Sequence, residues 1–453
     1  MAGDGMAGGW PMEGQVDIAV LGAGPAGCVA ALGLAELGHR VAMIHTPRPF
    51  IAWEGVSDRA LEGLSRIGCT RALAAIGPEV RRQAHWGGIA AAANRERIVE
   101  RAPFDAALLE DVGAAGIAIH RGRVGRLDLR PGAVRVVWRG SGGTAAALSA
   151  KLAIEARGRR APRLGAQVEA APGTTALIAE WQLPASAPAM TAVAPFANGW
   201  AWFAGDGQGR AALQIVIDAA SGGLSPRRGL ADLYRRLIND IPETRAWLAG
   251  ARGMGRVSAR NATMRLLAPA ASRALLRIGD AGAAIDPLSG QGLFEATGSA
   301  LAAVAVANTI LRRPQATDLA LAFFNDRATL TFRHQAAVAC AFYAQETRWA
   351  DRPFWRARAS WPVTPSARDE AAKAARIECR PVIQDGFIVE RPVVVSAVHP
   401  RGVWRVAGVP VVDLLTAVRD GVETPQVAAR RLGCDVDAIV TASRWLTRSG
   451  LTA

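Results

Sequence analysis

The hydrophobic pattern opens with a short, mostly apolar run at 16–21 (VDIAVL), followed at once by Gly22-Ala23-Gly24-Pro25-Ala26-Gly27. Residues 30–37 then place apolar side chains at helical spacing and stop at Gly38, and 41–44 is apolar again. Runs of this length bounded by glycine predict buried strands, so the first 45 residues predict one strand–helix–strand unit. A helix over 58–67 ends at Gly68, 95–99 reads as a strand, and 101–105 (RAPFD) reads as the cap of a helix over 106–115. Short strands follow at 117–119, 133–138 and 152–155, the last leading into Ala156-Arg157-Gly158-Arg159.

From about 170 the pattern changes character. Segments 191–193, 200–204 and 211–218, with turns at Asn198-Gly199 and Gly207-Gln208-Gly209, read like strands of an antiparallel sheet. Helices over 230–238 and 243–248 flank it. The run around Leu275, Leu276 and Ile278 then predicts a strand ending at Gly279-Asp280. Asp286-Pro287 and Gly290-Gln291-Gly292 are turn material, and long small-residue helices cover 300–311 and 318–343. Near the end, 393–398 and 403–406 suggest a hairpin, and three helices follow at 411–418, 425–432 and 436–446. Thr424 and Asp435 are placed as N-caps and Pro425 at the first helical position.

These elements predict an α/β chain with a doubly wound, Rossmann-like domain built from 15–169 and 271–345. An antiparallel substrate-facing sheet at 170–270 borrows parts of 80–100. A Trp/Arg-rich linker at 346–392 leads to a small helix–turn–helix, winged-helix-like domain at 393–453, and 1–14 is a disordered tail. At 453 residues there is length for two or three domains and a large core. The net charge of +14 invites a nucleic-acid, membrane or acidic-protein partner. Lys151 and Lys373 are the only lysines, however, and the arginines are scattered among alanines, as in a biased genome. The helix over 436–446 carries Arg444 as its one basic residue, which argues against major-groove reading, so no nucleic-acid partner is expected. Five widely spaced cysteines suggest neither a disulfide scaffold nor a metal site. The apolar run at 296–311 reads as a buried helix. With no signal peptide legible in 1–14, no membrane partner and a cytoplasmic location are expected.

The chemistry concentrates in two loops. Gly22, Gly24 and Gly27, with Pro25 and Ala26 between them, form a G-x-G-x-x-G turn in its required strand–turn–helix setting. Gly22 makes the turn, Gly24 admits a pyrophosphate and Gly27 lets the helix pack on the strand, which points to an ADP-bearing cofactor. The second strand lacks the usual terminal acid. His45 stands there and can accept one hydrogen bond or simply end the strand, and Arg48 is placed to stack on adenine. The second loop offers the Asp280 carboxylate to hydroxyl groups, and Pro287, Gly290, Gln291 and Gly292 give close backbone approach to a ligand.

Taken together, GAGPAG, RAPFDAALLE, EARGR and IGDAGAAIDPLSGQG resemble the FAD-binding segments of flavoproteins of the glutathione reductase type, over roughly residues 15–335. The resemblance implies FAD, with Asp280 on the ribityl chain, Pro287 to Gly292 beside the isoalloxazine ring and Arg101 near the flavin. No cysteine pair follows the glycine loop, which disfavours a disulfide reductase. The GWAWFA segment at 199–204 resembles the Trp-x-Trp motif of tryptophan halogenases without its Ile-Pro ending, and no lysine precedes Lys151 to serve halogenation. The GWAWFA segment, the Trp/Arg-rich stretch after Tyr343 and the C-terminal helices are similar to halogenase-like flavoprotein monooxygenases that modify peptides in quinohemoprotein amine dehydrogenase (tryptophylquinone) maturation. That resemblance implies hydroxylation of a tryptophan in a peptide or protein precursor, with O₂ as co-substrate through a flavin C4a-hydroperoxide. NAD(P)H or external reduced flavin is the implied electron donor, and another maturation enzyme is a candidate companion of the bound precursor. Trp200 and Trp202 are candidates for the substrate pocket, or else core residues of a half-buried strand. Glu54 is the candidate general base, or else a surface ion pair. A halogenase and an isoprenoid (geranylgeranyl-type) reductase acting on a small molecule are the competing enzymes.

Overall fold

The computed structural model describes residues 12–218, 229–361, 375–396 and 398–451. Its first layer is a six-stranded sheet with a parallel core in the spatial order Ala118–Arg130, Val41–His45, Met12–Leu21, Ala145–Glu155, Leu275–Arg277. Strand Ala133–Gly140 is antiparallel and joins the far halves of the two long strands. Alternate residues of the parallel strands feed two different cores, as the two-residue period demands. Ile18, Val20, Met43 and Ile154 pack under helices Pro25–Glu36 and Gly292–Arg312, whereas Ala19, Leu21, Ile44 and Ala153 pack on Val134, Val136 and Trp138 of the meander. The two helices touch closely because Gly33 leaves room for Val304: a Cβ there would lie 3.0 Å from its methyl group.

The second layer is a nine-stranded, mostly antiparallel sheet that runs from Gly253–Met254 through Thr174–Gln182, Arg210–Asp218, Gly199–Gly205 and Met190–Phe196. It continues through Glu79–Trp86 and Ile89–Glu100 to Trp53–Val56, and Ser258–Asn261 pairs beside Thr174–Gln182. One face holds Leu177, Ala201, Phe203 and Leu213 and is covered by Tyr234, Leu237 and Trp247 from helices Leu230–Asn239 and Thr244–Trp247. The other presents Ala176, Val193, Trp200 and Val216 to Tyr343, Phe354 and Trp355 from helices Thr317–Gln345 and Pro353–Ala359.

Four local expectations change. Residues 12–14 belong to the first strand, and 1–11, the rest of the expected tail, lie outside the described residues. The helix after strand Ile89–Glu100 begins at Arg101, with Glu100 as N-cap, so Asp105 sits inside it. Arg101 is drawn in because its guanidinium reaches Asp105 one turn on. The stretch 346–392 is structured where it is described, because Phe354 and Trp355 bury in the sheet core; 362–374 lie outside the described residues. The hairpin is also longer than expected. Phe387–Val395 pairs along its whole length with Arg376–Gln384 about Asp385-Gly386, both at positive φ, while only Val394 bridges Val403. The Asp-Gly turn sets that register. The last three helices, Val411–Arg419, Pro425–Leu432 and Val436–Arg448, enclose their own core around Leu414, Leu415, Ile439 and Leu446. Thr424 and Asp435 accept the first helical amides, as expected of N-caps.

Candidate cofactor site and active site

The carboxyl ends of the parallel strands meet the glycine loop. Gly22 has φ 114°, and a Cβ on it would strike the Ala156 carbonyl oxygen at 2.5 Å; one on Gly27 would strike the Gly22 carbonyl oxygen at 2.0 Å. Both glycines are therefore packing requirements. Gly24 is different: nothing lies within 4 Å of where its Cβ would be, and helix Pro25–Glu36 has no side-chain cap at this end. An open, uncapped helix N-terminus beside a residue without a side chain fits a pyrophosphate. His45 ends the second strand, and burial, reinforced by the Arg121 charge, lowers its pKa, keeping the ring neutral at pH 7. Arg48 is paired with Asp105 at 3.0 Å and lies over Phe50.

Arg101 is buried and holds two carboxylates, Glu54 at 2.5 Å and Asp105 at 2.9 Å. Burial raises the Glu54 pKa, but the charges of Arg101 and then Arg48 outweigh it and hold the carboxyl below its usual range. A carboxylate so tightly claimed is a weak proton acceptor, so the geometry makes Glu54 an anchor for Arg101 rather than a base. Asp280 stands at the end of strand Leu275–Arg277, paired with Arg159 at 3.1 Å. A Cβ on Gly158 would come within 3.8 Å of the Asp280 Cβ, so the Arg157-Gly158 turn and the Asp280 turn lie against each other. Arg159 also donates to the Thr263 and Ile285 carbonyl oxygens, which fixes it across this seam.

The loop that carries Pro287, Gly290, Gln291 and Gly292 is tied down from below. Asp286 accepts the Leu288 amide at 2.9 Å and the Tyr343 hydroxyl at 3.1 Å, and Trp200 Nε1 donates to the Tyr343 oxygen at 3.2 Å. All three side chains are buried. Burial raises the Asp286 pKa against the hydrogen bonds that stabilise its charge, and burial with the nearby Asp286 charge raises that of Tyr343. Gln335 donates to the Gln291 side chain and to Glu295, each at 2.9 Å. Above this frame the loop is open: nothing lies within 4 Å of a Cβ built on Gly290 or Gly292. Trp200 is thus a strut of the core. Trp202, two residues along the same face, is only partly buried and sits between two clusters of that sheet face.

The sequence missed Asp286, Tyr343, Arg159 and Gln335 as members of the site. Asp286 did carry a signal, since an acid directly before Pro287 is an N-cap placement. Tyr343 and Gln335 carry none, because their partners lie on other elements.

Comparison with known proteins identifies the fold and the family. The glucose inhibited division protein A family matches residues 17–167, the span from the first strand to just past the Arg157-Gly158 turn. Among solved structures, a peptidyl tryptophan dihydroxylase, QhpG, essential for tryptophylquinone cofactor biogenesis, is similar over 97% of this chain and 100% of its own. It is 36% identical, with a TM-score of 0.78. The flavin-dependent halogenase CmlS is 19% identical over 97% of this chain and 96% of its own, TM-score 0.73. The myxobacterial chondrochloren halogenase CndH, an FAD-dependent enzyme, is 22% identical over 79% of this chain and 88% of its own, TM-score 0.67. At those identities the halogenases share the fold alone. No curated protein sequence matches. The fold is a Rossmann-like FAD-binding fold, and the protein is a flavin-dependent monooxygenase whose cofactor is FAD.

Proposed function

The chain belongs to the family of the peptidyl tryptophan dihydroxylase QhpG, and we propose from that premise that it hydroxylates a tryptophan side chain in a peptide or protein precursor during quinone-cofactor biogenesis. The observation that carries this reading is the similarity over 97% of the chain at 36% identity, well above that of the halogenases. FAD supplies the activation of O₂ that the protein's own side chains lack.

The remaining work falls to this chain. Gly22, Gly24, Pro25, Ala26 and Gly27 offer the pyrophosphate a helix N-terminus, and neutral His45 offers one acceptor to the ribose. Asp280 would hold the ribityl hydroxyls, and its ion pair with Arg159 fixes where that carboxylate points. Arg101, in a balanced group with Arg48, Glu54 and Asp105, would add donors beside the flavin without adding net charge. The loop from Pro287 through Gly290, Gln291 and Gly292, held from beneath by Asp286, Tyr343 and Trp200, would take the ring. Trp202 lines the approach for the indole and helps exclude water. The reductant is NAD(P)H or external reduced flavin, and a second maturation enzyme accompanies the bound precursor. The protein works in the cytoplasm, where its five cysteines remain thiols. The one helix long and apolar enough to cross a membrane among the described residues, Gly292–Arg312, is instead mostly buried against the sheet and its neighbouring helices.

The test is mass spectrometry of tryptophan-containing precursor peptides after incubation with enzyme, reductant and O₂. A gain of one or two oxygens on tryptophan supports the reading. Chlorination in the presence of halide, or reduction of a lipid double bond with no peptide product, replaces it.

A further inference from the structure

Three arginines crowd one aromatic ring at the edge of the cleft. Phe50 lies on the segment between strands Val41–His45 and Trp53–Val56, and the guanidiniums of Arg260, Arg48 and Arg160 stand 3.7, 5.0 and 5.9 Å from its ring centre. They come from three elements. Arg48 follows the second parallel strand, and Arg160 closes the turn that begins at Gly158, beside Asp280. Arg260 lies opposite Ala176, on the sheet face that carries Trp200. Arg256 adds a further nearby charge, felt at Arg260. The cluster therefore sits where the cofactor edge of the parallel sheet meets the substrate face of the second sheet.

Its charge is poorly compensated. Asp105 pairs with Arg48, and among the described residues Arg160, Arg256 and Arg260 have no carboxylate within 4.0 Å. Among the described residues the Arg260 guanidinium donates to the Ala259 carbonyl oxygen, and its Nε is buried without a partner. Burial lowers its pKa first, and the like charges of Arg160, Arg48 and Arg256 lower it further, so repulsion adds to the cost of burying this guanidinium. Uncompensated like charge costs folding energy, and an arriving anion offsets that cost.

We propose that Arg160 and Arg260, grouped around Phe50, with Arg256 beside Arg260, dock acidic residues flanking the target tryptophan of the peptide substrate; the inference rests on the peptide-hydroxylase reading above. The arrangement favours a chain bearing several carboxylates over a single phosphate. The guanidiniums are splayed around a phenyl ring on separate elements, whereas a phosphate is gripped by donors converging on one point. An acidic segment laid across Phe50 would place an indole near Trp202 while its flanks meet the arginines. The chain's net charge of +14 acts in the same direction by speeding the encounter.

The experiment uses the FAD-loaded full chain and fluorescent peptides in which the target tryptophan is flanked by Asp and Glu, or by Asn and Gln. Arg160 and Arg256 are exposed, so R160Q/R256Q leaves the core untouched. The double variant should bind the acidic peptide about tenfold more weakly, a sum of two rim ion pairs, and the neutral peptide within about twofold of wild type. Its binding should also lose most of its salt sensitivity. Equal affinity of the wild type for both peptides overturns the proposal. So does a variant whose defect is loss of FAD or slower flavin reduction by NAD(P)H with peptide binding intact, because the cluster then serves cofactor or reductant. Charge-dependent binding of the acidic peptide without oxygen transfer to it would sink the hydroxylase reading and leave the docking site standing.

Discussion

At the scale of single residues, the three glycines of the first loop look equivalent in sequence and are not equivalent in space. A side chain on Gly27 meets backbone at 2.0 Å, whereas one on Gly24 meets nothing of the protein within 4 Å. Gly27→Val should therefore lower stability, by about 2–3 kcal/mol or more, through forced backbone shifts. Gly24→Val should fold normally, since φ there is −77°, and lose FAD because the side chain enters the cofactor's space. Thermal melts of both apo-proteins together with flavin titration separate the two outcomes; a Gly24→Val protein of unchanged flavin affinity contradicts the assignment. Glu54 makes the opposite case, a residue with a chemical role written on it by sequence that the fold employs otherwise. Its pKa is depressed, so the Glu54–Arg101 pair stabilises the fold above the ordinary glutamate pKa and fades only as pH falls through the lower folded value. Glu54→Gln should cost roughly 1–2 kcal/mol, moderated by the partial exposure of the carboxylate, and leave the shape of the pH–rate profile from 6 to 9 unchanged. Loss of a basic limb in that profile would restore Glu54 as a base. The sequence could reveal Glu54's type and neighbourhood but not its partner, because Arg101 lies 47 residues away and is brought in by the pairing of Trp53 with Glu100.

At the scale of elements, the parallel strands and glycine-loop helix were legible because mostly apolar runs bounded by glycine have one cheap solution. Strand Glu79–Trp86 (EVRRQAHW) was weak because its charged positions are an edge-rich mixture, with Arg82 reaching Glu96 only after the sheet has formed. The hairpin about Asp385-Gly386 was legible in principle, as Asp-Gly between β-branched runs is a strong local signal, yet the surrounding arginines and Pro381 masked it. The loop at 287–292 illustrates a different limit. Its glycines were visible, but the Trp200–Tyr343–Asp286 chain that holds it joins three elements far apart in sequence. Tyr343→Phe keeps the ring packing and removes the hydroxyl, leaving Trp200 Nε1 without its acceptor and Asp286 with the Leu288 amide as its remaining donor. The expected cost is about 1–3 kcal/mol of stability, with weaker FAD binding because the loop loses its anchor. Asp286→Asn supplies the control: burial already raises that carboxyl's pKa, so its ionised form loses stability as pH rises through the folded value. The amide should therefore be less sensitive than wild type to rising pH. A Tyr343→Phe enzyme with wild-type melting temperature and flavin affinity would show that the chain does not support the loop.

At the scale of the whole molecule, the C-terminal unit is fastened to the same helix that begins at the ring loop. Helix Gly292–Arg312 starts beside Gln291 and, near its far end, grips the long hairpin: the Ile388 amide donates to Thr309 Oγ1 at 2.8 Å and Asn308 Nδ2 donates to the Gly386 carbonyl oxygen at 2.8 Å. His39 completes the contact by pairing with Asn308 at 2.9 Å, so the turn after the glycine-loop helix, the long helix and the hairpin meet at one point. Ile388 itself is buried in the core of the FAD-binding domain, which makes the hairpin part of that domain's wall as well as the stem of the C-terminal helices. Nothing in the local sequence announces this junction, since Thr309 and Asn308 read as two polar residues late in an apolar helix. Thr309→Val keeps the shape and removes the acceptor, leaving the buried Ile388 amide unsatisfied at a cost of about 1–3 kcal/mol. The loss should be local. Hydrogen exchange should accelerate in the amides of 376–395 by roughly tenfold to a hundredfold, while those of Met12–Leu21 and Ala145–Glu155 keep wild-type protection. Uniform acceleration across both sheets would instead mean that hairpin and core unfold as a single unit.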